Sequence, residues 1–235
     1  MFDKQPFSTV MKACGLLEKE ALDIAAEHLE LDVVLQAICE EIESVFSFDF
    51  VAVQLIRPQE NIIETVYGTG FARDWCGRAK HYIAEDEQLQ DIQANIAQSG
   101  LVEIISGWDN RFDRWVYDAY KHKKYNRVFV PIVLAQDVNC DFQDDWIRSL
   151  DWSIEASSEN SDGKRLAIKV APAIPLSETS FTIIGTIEAG YNDLGSEITS
   201  EKAVELYKKT ALSASKIYQM LLPYKLLATT KVVQS

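Results

Sequence analysis

Residues 31 to 56 read LDVVLQAICEEIESVFSFDFVAVQLI, and within this stretch the hydrophobic period changes. Apolar positions fall at Leu31, Val34, Leu35, Ile38, Cys39, Ile42, Val45 and Phe46, three and four apart, which is the stripe of a helix with one buried face. From Phe48 the spacing shortens to two, and FDFVAVQLIR reads as a strand. An earlier helical segment around Leu16 to Leu29 makes this end of the chain two helices or one kinked one.

Downstream, RPQEN supplies a turn and IIETVYGTGF a second strand, giving a β-hairpin. An irregular aromatic stretch, FARDWCGRAKHYIAEDEQ, leads to a short helix, DIQANIAQS, ended by Gly100. LVEII is a short strand, GWDNRFD a loop, and a helix is expected from about Arg114 to Lys124. RVFVPIVLA and FTIIGTIEAGY are buried strands, separated by an insertion from Gln136 to Ser180. That insertion holds a further strand candidate, KRLAIKVA, and a turn, SSENSDG. The closing stretch EITSEKAVELYKKTALSASKIYQMLL is a long amphipathic helix with Thr199 or Ser200 as N-cap, interrupted by Pro223. A helix, a hairpin, short helices, three more strands and a terminal helix, with the helices mostly at the two ends, make an α+β order. End helices on one sheet face leave the other free for a ligand.

With 235 residues, 47% hydrophobic, the chain can bury a large core. No apolar run approaches the roughly 20 residues a spanning helix needs, so no membrane partner is expected. The N-terminus lacks the pattern of a secretory signal, and the expected location is cytoplasmic. A formal net charge of -13 opposes phosphate backbones, which disfavours nucleic acid as a partner. The one basic run, KHKKYNR from Lys121 to Arg127, suits a helix C-terminus. Cys14, Cys39, Cys76 and Cys140 form no CxxC pair, so a structural zinc site is not expected.

The phrases LDVVLQAICEEIESVFSFDFVAVQLI, RVFVPIVL, IIGTIEAGYND and EITSEKAVELYKKTALSAS resemble a GAF domain over about Leu31 to Ser215. The segment LQDIQANIAQSGLVEIISGWDNRFDRWVY is similar to a GAF subgroup of cyanobacterial signalling proteins. The resemblance implies a GAF-like antiparallel sheet of about six strands with N- and C-terminal helices packed on one face. It also implies a small-molecule pocket on the other face and a homodimer through the terminal helices. Residues 1–30 are then an N-terminal helical extension, 31–215 the GAF-like domain with its insertion at 136–180, and 216–235 the helix end and tail. The family's ligands are diverse, and fold alone leaves ligand and cofactor unknown. Bilin-binding members attach their chromophore through Cys followed by His; the cysteines here precede Gly15, Glu40, Gly77 and Asp141. A haem would need an axial ligand, and only His28, His81 and His122 are present.

No nucleophile with its base, buried carboxylate pair or metal cluster is visible, so no catalysis is expected. GTG at Gly68 to Gly70 lacks the third glycine of a dinucleotide fingerprint. The remaining signal is the aromatic and arginine density of two middle segments. Trp75, His81 and Tyr82 in one, and Trp108, Arg111, Arg114 and Trp115 in the other, are the expected ligand-binding residues, because flat rings and forked guanidinium groups hold planar or anionic molecules. The alternative is that Phe112 and Trp115 anchor the core while Arg111, Asp113 and Arg114 pair on the surface. The function expected is a non-catalytic sensory domain that binds a small molecule and signals through its end helices to a partner protein; the alternative is a ligand-free dimerisation scaffold.

Overall fold

The change of period at Phe46 marks a structural boundary in the computed structural model, which describes residues 18–83, 91–113, 118–119, 125–135, 152–159, 165–172 and 181–221. Before it lies helix α1, Glu18–Phe46, so the two helical segments read from the sequence form one continuous element. Leu35, Ile38, Cys39, Ile42 and Phe46 are buried along one stripe, whereas Val45 faces out. Ser47 ends the helix in the left-handed region, at φ 57°, with its N–H on the Glu43 carbonyl at 2.8 Å.

Eight strands follow: β1 (Phe50–Arg57), β2 (Ile62–Gly68), β3 (Lys80–Tyr82), β4 (Val102–Ser106), β5 (Asn126–Ala135), β6 (Trp152–Glu159), β7 (Arg165–Pro172) and β8 (Phe181–Tyr191). They form one sheet in the order β3-β2-β1-β8-β5-β4-β7-β6, every neighbouring pair antiparallel. The expectation of about six strands thus rises to eight among the described residues. β3 has three residues, too few to show a period. β6, WSIEASSE, is polar enough to read as part of a loop, and its partner β7 supplies the apolar residues. Within the insertion, β7 pairs with β4 and β6 with β7, so these two strands carry the sheet outward.

Alternation along the central strands sorts the two faces. Val51, Val53 and Leu55 of β1, Val128, Val130 and Ile132 of β5 and Ile187, Ala189 and Tyr191 of β8 join the main core with α1 and with the closing helix α3, Ser200–Leu221. Thr199 caps α3, accepting from the Lys202 N–H at 3.2 Å. The Tyr191 hydroxyl ties the layers by donating to the Phe46 carbonyl at 2.9 Å. Each fully buried Leu or Ile in this layer stabilises the fold by about 2 kcal/mol. The terminal helices thus share one face, as expected.

The opposite face carries Phe50, Ala52, Ile105, Arg127, Phe129 and Glu188. It is covered by a 3-10 turn at Gly70–Trp75 and by helix α2, Ile92–Ser99. Asp91 caps α2, its carboxylate accepting from the Gln93 N–H at 2.8 Å, and Gly100 ends it at φ 68°, where a side chain would be strained. The helix expected over Arg114 to Lys124 lies largely outside the described residues. So does Pro223.

Candidate functional site

The free face has a charged centre, although β5 and β8, the two strands that carry it, hold no charged residue besides Arg127 and Glu188. In the β5–β8 register Phe129 stands opposite Glu188 and Arg127 opposite Gly190, so Arg127 and Glu188 are diagonal neighbours on one face. Arg127 Nη1 donates to Glu188 Oε1 at 3.2 Å, and both side chains are 2% exposed. Gly190 makes the arrangement possible: a Cβ there would meet the Asn126 carbonyl oxygen at 2.2 Å and Arg127 Cγ at 3.1 Å. The guanidinium lies on the Phe112 ring, 3.4 Å from its centroid. Burial lowers the Arg127 pKa against the pull of Glu188, and raises that of Glu188 against the pull of Arg127.

This pair is incompletely satisfied. Arg127 Nε and Nη2 have no hydrogen-bond partner among the described residues, nor does Gln93 Oε1. Gln93 Nε2 donates to Glu188 Oε2 at 2.9 Å, which fixes the amide with its oxygen pointing elsewhere. A buried polar group left unmade costs about 1–3 kcal/mol, and more when charged, so such groups mark strain or a binding role. Gln93, Arg127 and Glu188 line a cavity of about 30 Å³ together with Trp75, Ala79, His81, Asp91, Phe112 and Asp113. That volume holds one or two water-sized species.

At the cavity's acidic end His81 stands between two carboxylates, with Nδ1 3.6 Å from Asp91 and Nε2 3.7 Å from Asp113. Burial lowers the His81 pKa although Asp113 and Glu188 pull it upward. Burial, with some help from the Asp113 charge, pushes Asp91 up to about 8 against the backbone N–H groups of Gln93 and Ile92.

Of the residues expected from the sequence, Trp75 and His81 lie on this cavity wall. Trp75 is 3% exposed and packs edge-on to Phe50 and Phe71. Tyr82 is 76% exposed on edge strand β3, because the residue after His81 points to the other side of the strand. Trp108 packs edge-on against Phe112 and is not one of the residues that wall the cavity. Arg111 belongs to a different constellation. Its Nη1 and Nη2 reach Glu103 at 3.2 and 2.6 Å, its Nε and Nη2 reach Asp109 at 3.0 Å each, and Nη1 reaches Asn95 at 3.1 Å. Arg165 holds the same Glu103 carboxylate from β7, at 2.8 and 2.7 Å. These bonds raise the Arg111 pKa despite its burial. Arg114 and Trp115 lie outside the described residues. The sequence reading did not single out Asp91, Gln93, Arg127 or Glu188 as site residues. Their signal was a lone Arg opening RVFVPIVLA and a lone Glu inside GTIEAGY, opposite charges in two strands otherwise apolar enough to be buried.

No protein-family model matches the chain, and no curated protein matches it. Among solved structures, a GAF domain/HD domain protein from Geobacter sulfurreducens aligns over 82% of this chain and 94% of that one, with a TM-score of 0.51 and 8% identity. The fold is GAF-like. A far-red cyanobacteriochrome photoreceptor aligns over 86% of this chain and 93% of that one, at TM-score 0.48 and 11% identity. The GAF domain of an Acinetobacter phosphoenolpyruvate-protein phosphotransferase aligns over 85% and 98%, at 0.47 and 8%. At these identities the likeness is one of fold. Among the described residues of this GAF-like chain, no helix is long and apolar enough to cross a membrane.

Proposed function

We propose that the chain is a sensory or regulatory GAF-type domain that takes a small ligand into the polar cavity on the free face of its sheet, without catalysing a reaction. One observation carries this reading: Arg127, with a 2% exposed side chain, keeps Nε and Nη2 without partners among the described residues and lines a cavity. Two unmade donors of a buried cation are an expensive arrangement for a purely structural residue, and a ligand that accepts from them removes the expense. Trp75 and His81 are kept as contacts to that ligand. Tyr82, Trp108 and Arg111 drop out of it, since one is exposed, one is not among the residues that wall the cavity and one is saturated by carboxylates.

The strands that carry Arg127 and Glu188 also carry Val128, Ile187 and Ala189 against α1 and α3. A ligand that shifts β5 against β8 therefore acts directly on the terminal helices. In our reading these helices form a homodimer or engage a signalling partner. Sedimentation tests that part, and a strict monomer at micromolar concentration with and without ligand would count against the homodimer. The cavity's small volume favours one second reading, a dimerisation scaffold whose pocket is unused.

A thermal-shift screen of small anionic and dipolar metabolites tests the ligand reading. It compares the wild type with Arg127→Met/Glu188→Leu, which replaces the buried pair by apolar groups of similar size and need not cost stability. Some compounds are expected to raise the melting temperature of the wild type and not of the variant. Equal shifts in both, or none in either, would refute the reading.

A further inference from the structure

We infer that the acidic end of the cavity is a site for a divalent transition-metal ion, held by one imidazole nitrogen of His81 and one carboxylate oxygen each of Asp91 and Asp113. The inference rests on the cavity being a ligand site and names the class of its occupant. These three ligand atoms lie within 4.8 Å of one another. The N···O separations of 3.6 and 3.7 Å are too long for hydrogen bonds, so His81 is not explained as a hydrogen-bonded partner of either carboxylate. Only one of the two, from Nδ1 to Asp91 or from Nε2 to Asp113, can be an edge of the ligand triangle, since a single ring nitrogen binds the ion; an equilateral triangle with edges of about 3.6 Å has its centre about 2.1 Å from each corner, the length of a metal–nitrogen or metal–oxygen bond. At edges of about 4.8 Å that radius becomes about 2.8 Å, so closing the site asks for less than an ångström of side-chain movement. Asp113, 30% exposed, is the ligand best able to make it.

A second observation points to a cation independently. Gln93 is 8% exposed and lines the same cavity, and its Oε1 has no donor among the described residues. A buried amide oxygen without a donor is a group that a cation, or water held on a cation, can satisfy. The cavity volume of about 30 Å³ accommodates an ion with a water. A donor set of one imidazole and several oxygens suits manganese, iron(II) or zinc better than magnesium or calcium, which favour all-oxygen shells, or copper(I), which favours sulfur. Arg127, which lines the same cavity and has Nε and Nη2 without partners among the described residues, could hold an anion or water bound to that ion.

The test uses the full chain, stripped with EDTA and desalted, then titrated with Mn2+ and in a separate run with Zn2+. One ion per chain is expected, with nitrogen-14 modulation in the spin-echo spectrum of the Mn2+ form. Asp113→Asn should weaken Mn2+ affinity at least about 10-fold and His81→Gln should abolish the nitrogen signal. Absence of saturable binding, binding without nitrogen modulation, or affinity untouched by Asp113→Asn would overturn the assignment. The nitrogen signal is read on the wild type, so it decides even if His81→Gln fails to fold. A metabolite that binds and depends on Arg127, with no Mn2+ or Zn2+ bound, would remove the metal site and leave the ligand reading standing; no uptake of either would remove both.

Discussion

Arg111→Ala separates two roles for one side chain, because the structure makes Arg111 a clamp and not a ligand contact. The substitution removes five hydrogen bonds, two of them to Glu103, which is fully buried. Removing one partner of a buried ion pair costs about 3–5 kcal/mol when it strands a charge. Here Arg165 stays on Glu103 through two bonds, so the carboxylate is not stranded and the cost falls to about 2–3 kcal/mol. Arg165→Ala alone leaves Arg111 in place and should cost about 1 kcal/mol, since Arg165 is 32% exposed. Together the two changes strand a buried carboxylate between β4 and β7, and the double variant should lose more than the sum by about 1–2 kcal/mol. Urea unfolding of the four proteins measures this. The folded Arg111→Ala protein should keep its ligand response in the thermal-shift screen. Additive losses, or an Arg111→Ala midpoint equal to that of the wild type, would refute the clamp.

Three further outcomes follow from other parts of the molecule. Gly185→Ala should destabilise strongly, by about 3 kcal/mol or more, because the new Cβ would lie 2.1 Å from the Gln54 carbonyl oxygen across the β1–β8 ladder; a midpoint within about 0.5 kcal/mol of the wild type would contradict the register. Cys39, fully buried with its thiol pushed up to about 12 chiefly by desolvation, should resist iodoacetamide in the native protein, while the partly exposed Cys76 is alkylated more quickly; peptide mass spectrometry reads both. Burial works upward on Glu64, but the hydrogen bonds from Lys80 and Arg57 outweigh it and hold its pKa below the ordinary value. A depressed native pKa gives stability that is present above the unfolded value and lost as pH falls through the native one. Glu64→Gln should therefore flatten the acid limb of the stability profile below about pH 4.5, and an unchanged limb would argue against the pairing.

The sequence showed the architecture where a period was long enough to read. The helical stripe of α1, the alternation of β1, the buried apolar runs of β5 and β8, the Gly100 stop and a cap at Thr199 or Ser200 are local features, and each is present, the cap at Thr199. β3 and β6 were not legible, because one is three residues long and the other gains its place only by pairing with β7. The site was half legible. Trp75 and His81 announced themselves by residue type. Arg111 did so equally, yet its donors are filled by Glu103 and Asp109, and composition cannot say whose donors are filled. Arg127 and Glu188 were read as parts of buried strands. Their meaning as a site came from the register that sets them diagonal, from Phe112 arriving over the guanidinium, and from α2 delivering Asp91 and Gln93 to the same cavity.

The central claim is that the polar cavity of the free face takes up a ligand. Native mass spectrometry of the freshly purified chain tests it most directly, beside Arg127→Met/Glu188→Leu prepared in the same way and both repeated after adding Mn2+. The account expects the wild type to carry a discrete mass excess, as purified or on addition, that the double variant lacks or holds more weakly. A bare wild-type mass under every condition, or the same excess on both proteins, would contradict it.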